Sequence, residues 1–144
     1  EEDPQQCMSE LGAWGVYLLM DQRLSNFRPD QDSSGINAFV STSWTPSNTN
    51  LMTASITGGL TFIGPWEVRP NDSLGVGLSW ASINNQEFLS KSFNSSELML
   101  QAYAQIALAE ALFLQPTITM LPRVGRRDAK DDSLSGLLQL TMLF

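Results

Sequence analysis

Hydrophobic and polar residues alternate with a period of two along most of the chain. In "WGVYLLMDQRL", Trp14, Val16, Leu18 and Met20 share one parity, and Tyr17, Asp21 and Arg23 take the other. "GINAFVSTSW" sets Ile36, Ala38, Val40 and Trp44 against Asn37, Ser41 and Ser43. "MTASITGGLTF" sets Met52, Ala54, Ile56, Leu60 and Phe62 against Thr53, Ser55, Thr57 and Thr61. "SLGVGLSWA" sets Leu74, Val76, Leu78 and Trp80 against Ser73, Gly75, Gly77 and Ser79. Side chains alternate between the two faces of a β-strand, so each stretch predicts a strand with one apolar and one polar face.

The next stretch, "ELMLQAYAQIALAEALF", is rich in Ala, Leu and Gln, and propensity alone favours a helix. Its alternation favours strands: Leu98, Leu100, Ala102, Ala104, Ile106 and Leu108 are apolar, with Glu97, Gln101, Tyr103 and Gln105 between them. A helix would place Gln101 and Gln105 on the stripe of Leu98 and Leu108, which is poor amphipathicity. Two strands turning at Ala109-Glu110 are expected instead. The sixth strand, "LFLQPTITM", sets Leu112, Leu114, Ile118 and Met120 against Gln115, Thr117 and Thr119. The seventh, "SLSGLLQLTMLF", aligns Leu138, Leu140, Met142 and Phe144 opposite Ser135, Gln139 and Thr141. These segments run to about 9–13 residues, above the usual roughly 5–6 and close to the roughly 9–11 that cross a bilayer at a tilt. Polar, turn-rich links separate them. The most charged, "PRVGRRDAKDD", holds Arg123, Arg126, Arg127, Asp128, Lys130, Asp131 and Asp132 and reads as a solvated loop.

Composition narrows the options. The chain has 144 residues, 42% hydrophobic but only 16% charged, against roughly 25% charged in ordinary soluble domains. Ser, Thr, Asn, Gln and Gly fill the difference. A net charge of -7 argues against nucleic acid, which calls for a basic patch. The absence of histidine removes the commonest general base and most zinc sites, so no catalytic site, metal or cofactor is expected. The single cysteine, Cys7, cannot form an internal disulfide and reads as incidental. No run of 18 apolar residues marks a transmembrane helix, a test that β-barrel strands pass unnoticed. Residues 1–12 are expected to be an N-terminal segment or loop, and 13–144 the strands.

Alternation leaves open which face is wet. A soluble barrel or sandwich holds its apolar face inside; an outer-membrane barrel turns it toward lipid. Three features favour the second. The polar face lacks the Lys and Glu that coat soluble proteins. Trp14, Trp44 and Trp80 lie toward strand ends, as in an aromatic girdle. The final strand ends on Phe144, like the terminal strand of bacterial outer-membrane proteins.

The residues also resemble the carbohydrate-selective porins of the OprB type over nearly all of 13–144. The resemblance rests on the order of "GVYLLMDQRL", "GINAFVSTSWTPSNTN", "GGLTFIGPWEVRPNDSLGVGLSWASI", the paired strands around "LQP" and the final Phe. Two features depart from the family pattern. Ala109, Glu110 and Ala111 stand where a Thr-Pro-Trp turn is usual, and the proline- and glycine-rich tail region reads "LPRVGRRDAKDD". The resemblance implies an all-β antiparallel transmembrane barrel of about sixteen strands, wide enough for an aqueous channel. The seven strands here would be its C-terminal part, an incomplete barrel completed by strands from the rest of the polypeptide or another chain. With the carboxylate end in the periplasm, "SNFRPDQDSS", "GPWEVRPND" and "LAEA" would face that side. "TPSNTN", "NNQEFLSKSFNSS" and "PRVGRRDAKDD" would face outward, although "TPSNTN" is short for an outer loop.

The implied function is a porin in the cell outer membrane, passing sugars by passive diffusion and contacting lipid and lipopolysaccharide. Sugar-contacting candidates are the inward-parity residues Tyr17, Asp21, Arg23, Asn37, Glu97, Gln101, Tyr103, Gln105 and Gln115, with Tyr103, set between two glutamines, foremost. Asp21 and Arg23 are neighbours on one face, where the plainest expectation is a cross-lumen ion pair holding the wall. The membrane-facing set is Trp14, Trp44, Trp80, Leu138, Leu140, Met142 and Phe144. Competing readings are a soluble barrel or sandwich binding a hydrophobic ligand, a non-selective porin, and an outer-membrane enzyme, which the missing histidine disfavours.

Overall fold

The computed structural model describes residues 12–47, 50–84, 95–123 and 132–144. Cys7, most of the charged link at 124–131 and the link at 85–94 lie outside the described residues. Seven strands form one sheet: β1 (Val16–Asn26), β2 (Gly35–Trp44), β3 (Met52–Ile63), β4 (Ser73–Ile83), β5 (Ser96–Ala109), β6 (Leu112–Arg123) and β7 (Ser133–Met142). Neighbours in sequence are neighbours in space, and every pairing is antiparallel. β5 keeps to the strand that its alternation predicts, 14 residues long. The β5–β6 turn falls at Glu110-Ala111, one residue beyond the expected Ala109-Glu110.

The links at 27–34, 64–72 and 110–111 share one end of the sheet with the end of β7. Residues 45–47 and 50–51, with Asn84, Ser95 and Asp132, lie at the other. At the first end the links are tied together. Arg28 pairs with Asp32 at 2.8 Å and donates to the Gly64 carbonyl of the next link at 2.9 Å. Gly64 adopts φ +54°, where a Cβ would also strike the Pro70 carbonyl oxygen. Arg69 pairs with Asp72 at 2.6 Å, and Asp72 accepts the Ala107 N–H of β5 at 2.9 Å. Asp72 is only 5% exposed, and these partners satisfy its buried charge. At the other end, Asn84 donates to the carbonyls of Ser47 and Asn50, and its own N–H reaches Leu51 at 2.7 Å. That clasp holds the short 45–51 link.

Among the described residues no hydrophobic side chain is buried. The register explains why. Residues directly opposite in a ladder share a face, so the pairings trace continuous rows. One runs Met20, Val40, Gly58, Leu78, Leu100, Met120 and Leu134. Its neighbours run Leu18, Thr42, Ile56, Trp80 and Leu98, and Ala38, Leu60, Val76, Ala102 and Ile118. One face is therefore predominantly apolar from edge to edge, with Gln22, Thr42 and Ser82 among its polar exceptions. Val40, Trp44, Val76, Leu78 and Trp80 on it are exposed. Asn37, Phe39, Ser41 and Ser43 on the opposite face of β2 are half-buried, the pattern of a sheet curled with its polar face inward.

β6 contains Pro116 in mid-strand, where it cannot donate to a ladder. Its ladder with β5 breaks there, Tyr103 facing Thr117 and pairing resuming with Ile106 opposite Leu114. β7 still faces Pro116 through Leu138.

Candidate functional site

The polar face carries all nine candidate residues. Tyr17 of β1 begins a row through Ser43, Ser55 and Ala81 to Glu97. Asp21 begins the row Phe39, Gly59, Gly77, Gln101, Thr119 and Ser135. Arg23 begins the row Asn37, Thr61, Gly75, Tyr103 and Thr117. Gln105 faces Ser73, and Gln115 faces Gln139. Sequence parity alone brings these residues to one surface, and register then decides which of them meet.

Arg23 does not pair with Asp21. Its Nε donates to Asn26 at 2.7 Å, and one terminal nitrogen donates to the carbonyls of both Ser33 and Ser34, at 2.5 and 2.8 Å. A longer contact of 3.4 Å reaches Asn37 Oδ1. The guanidinium is drawn into the β1–β2 hairpin by three close acceptors, which a single neighbouring carboxylate does not outweigh at an exposed site. The ion pairs among the described residues are the two in the links. The expected ion pair is therefore absent, and Asp21 lies on the open face opposite Phe39.

Elsewhere on this face uncharged groups bond to each other across strands. Ser43 and Ser55 share a hydrogen bond of 2.7 Å, and Thr57 and Ser79 one of 2.9 Å. Gln101 donates to Thr119 at 3.1 Å, and Ser73 donates to Gln105 at 3.3 Å. Hydroxyl hydrogens rotate, so these hydroxyls keep acceptor or donor capacity toward the open side.

Two of the aromatic rings on this face lie across glycines of the facing strand. The ring of Tyr103 lies across Gly75 of β4, where a Cβ would fall 2.0 Å from its Cε1. Its hydroxyl lies 3.5 Å from the Thr61 hydroxyl on β3. The ring of Phe39 lies across Gly59 of β3, with a Cβ there 2.8 Å from Cε1. Phe39 is a residue that the sequence reading passed over. Two signals mark it: its parity with Asn37 and Ser41, and a glycine on the facing strand that only the register identifies.

The opposite face carries the membrane-facing candidates. Trp14 and Trp44 meet edge to face with centroids 5.1 Å apart. Together with Trp80 they gather at the end of the sheet that holds the 45–51 link. Leu138, Leu140 and Met142 continue the apolar face on β7 opposite Pro116, Leu114 and Leu112, and Phe144 extends beyond, fully exposed.

Comparisons with known proteins follow the same line. The family model described as "Carbohydrate-selective porin, OprB family" matches residues 5–144. Among solved structures, the high-pH structure of OprB from Pseudomonas putida superposes with a TM-score of 0.78 at 16% identity. The match covers 90% of this chain and 35% of that one. No curated protein matches by sequence.

Proposed function

Because the chain belongs to the carbohydrate-selective porin OprB family, we propose that its sheet is part of the wall of an outer-membrane channel for passive diffusion of sugars. A porin family points to a channel rather than an enzyme. The observation that carries the reading is the division of the sheet into two faces. One is predominantly apolar and exposed. The other is lined largely by hydroxyls, amides and aromatic rings, with few charges. A soluble barrel or sandwich would bury the apolar face, yet no hydrophobic side chain is buried among the described residues. Lipid is the remaining solvent for it.

Strand length fits. Eleven residues in β4 at about 3.3 Å each, tilted by about 40°, rise about 27 Å, near the apolar band of such barrels. β1 and β7 each pair on one side only. In lipid every unpaired backbone group costs several kcal/mol, so further strands, from the rest of the polypeptide or another chain, complete the barrel. The apolar face meets lipid and the acyl region of lipopolysaccharide.

The polar face suits a neutral, hydroxyl-rich solute. Sugars exchange water for hydroxyl and amide partners one at a time, and none of these contacts is strong enough to trap them. The nine polar candidates and Phe39 are the contacting set, with Tyr103 foremost among the nine. The test is liposome swelling with the full-length protein. Monosaccharides are expected to enter markedly faster than ions of similar size. Equal rates for both would reject sugar selectivity in favour of a general porin.

A further inference from the structure

The centre of the polar face holds a two-by-two patch: Gly59 and Thr61 on β3 facing Gly77 and Gly75 on β4. Phe39 reaches in from β2 and covers Gly59; Tyr103 reaches in from β5 and covers Gly75. The fourth corner, Gly77, is bare: a Cβ there would meet only the Gly58 carbonyl oxygen, at 3.5 Å. Two rings thus approach from opposite sides and lie down on glycines of adjacent strands. The two covered glycines, Gly59 and Gly75, are one strand and one same-face step apart, about 8 Å. Both side chains are half-buried, one side against backbone and the other toward the open face. Thr57, Ser79 and Gln101 border the bare corner and carry no charge.

We infer that Phe39 and Tyr103 form a paired stacking floor for the apolar faces of pyranose rings, and that Phe39 sets affinity as much as Tyr103 does. The inference rests on the proposed function and deepens it to ring-form sugars. A pyranose presents C–H groups on its faces and hydroxyls around its rim. The floor offers the reverse arrangement, flat rings in the middle and hydroxyls and amides at the edge. One charged side chain borders the floor: Asp21 of β1 stands opposite Phe39 on this face, where its carboxyl oxygens can accept from a sugar hydroxyl. The glycines are positioning residues, since a Cβ at 59 or 75 would lift the rings off the wall.

The experiment measures sugar-dependent current block by the full-length protein in planar bilayers, with a cyclic hexose and a linear polyol of equal carbon number as probes. The hexose is expected to block saturably. Phe39→Ala should raise its half-saturating concentration about three- to tenfold, the range of a lost aromatic contact, while that of the polyol changes little. Phe39→Leu keeps the apolar bulk without a flat ring and should behave like the alanine variant, which covers poor assembly of the latter. Phe39→Tyr and Tyr103→Phe should retain wild-type block. An unchanged hexose value in Phe39→Ala and Phe39→Leu, or equal shifts for hexose and polyol, would overturn the stacking floor alone. A wild-type channel without saturable hexose block would overturn the proposed sugar function and the floor with it.

Discussion

At the scale of single residues, the firmest electrostatic feature lies off the membrane-spanning strands. Asp32 sits in the β1–β2 link, where Ser34, through its nearby hydroxyl and its N–H, and Arg28 push its pKa down to about 2. The Ser34 hydroxyl has no partner in strict hydrogen-bond geometry, so the N–H contact of 2.9 Å to Oδ1 is the firmer of the two. A carboxyl with a depressed folded pKa stabilises above its ordinary pKa, about 3.9, and loses that contribution as pH falls through 2. Asp32→Asn should therefore unfold more readily than wild type at pH 7, and the gap should close between about pH 4 and 2. Denaturant titration of the reconstituted protein at several pH values measures it. Arg23 shows why residue-scale reading of sequence has a limit. Its parity was legible, but its partners are carbonyls of Ser33 and Ser34 that only the hairpin's folding brings within reach.

At the scale of elements, the seven strands and their faces were legible because alternation is a local property that no distant contact overrides. Even β5, with helix-favouring composition, follows its period of two, since only that places Leu98, Leu100 and Ala102 on the same face as Trp80, Leu78 and Val76. Register was not legible. It alone reveals that Phe39 meets Gly59 and Tyr103 meets Gly75, because glycine has no side chain to signal what lies above it. The faces make opposite demands on charge. Leu78→Arg, in the middle of the apolar row, is expected to cost about 2–4 kcal/mol in stability, the range for arginine at the bilayer midplane. Gln101→Arg, on the polar face, should cost far less. Urea-induced unfolding from lipid vesicles compares the two; equal losses would mean that both faces meet the same solvent. Thr42, polar but on the apolar face, is consistent with that demand, since its hydroxyl donates back to the Ser55 carbonyl at 3.0 Å.

For the molecule as a whole, one sheet with two chemically opposed faces and, among the described residues, no buried apolar core is a wall rather than a domain interior. Its apolar surface is stable only against lipid, and its open edges only against further strands. The measurement that tests this most directly is nitroxide scanning of β4 in the full-length protein in bilayers, on a Cys7→Ser background. Labels go at positions 76, 78 and 80 and at 77, 79 and 81, and collisions with lipid-soluble oxygen and with a water-soluble nickel chelate are recorded. The expected result is a period of two, with oxygen dominant at 76, 78 and 80 and nickel dominant at 77, 79 and 81. Positions 76, 78 and 80 shielded from both reagents, as inside a soluble core, would contradict the account.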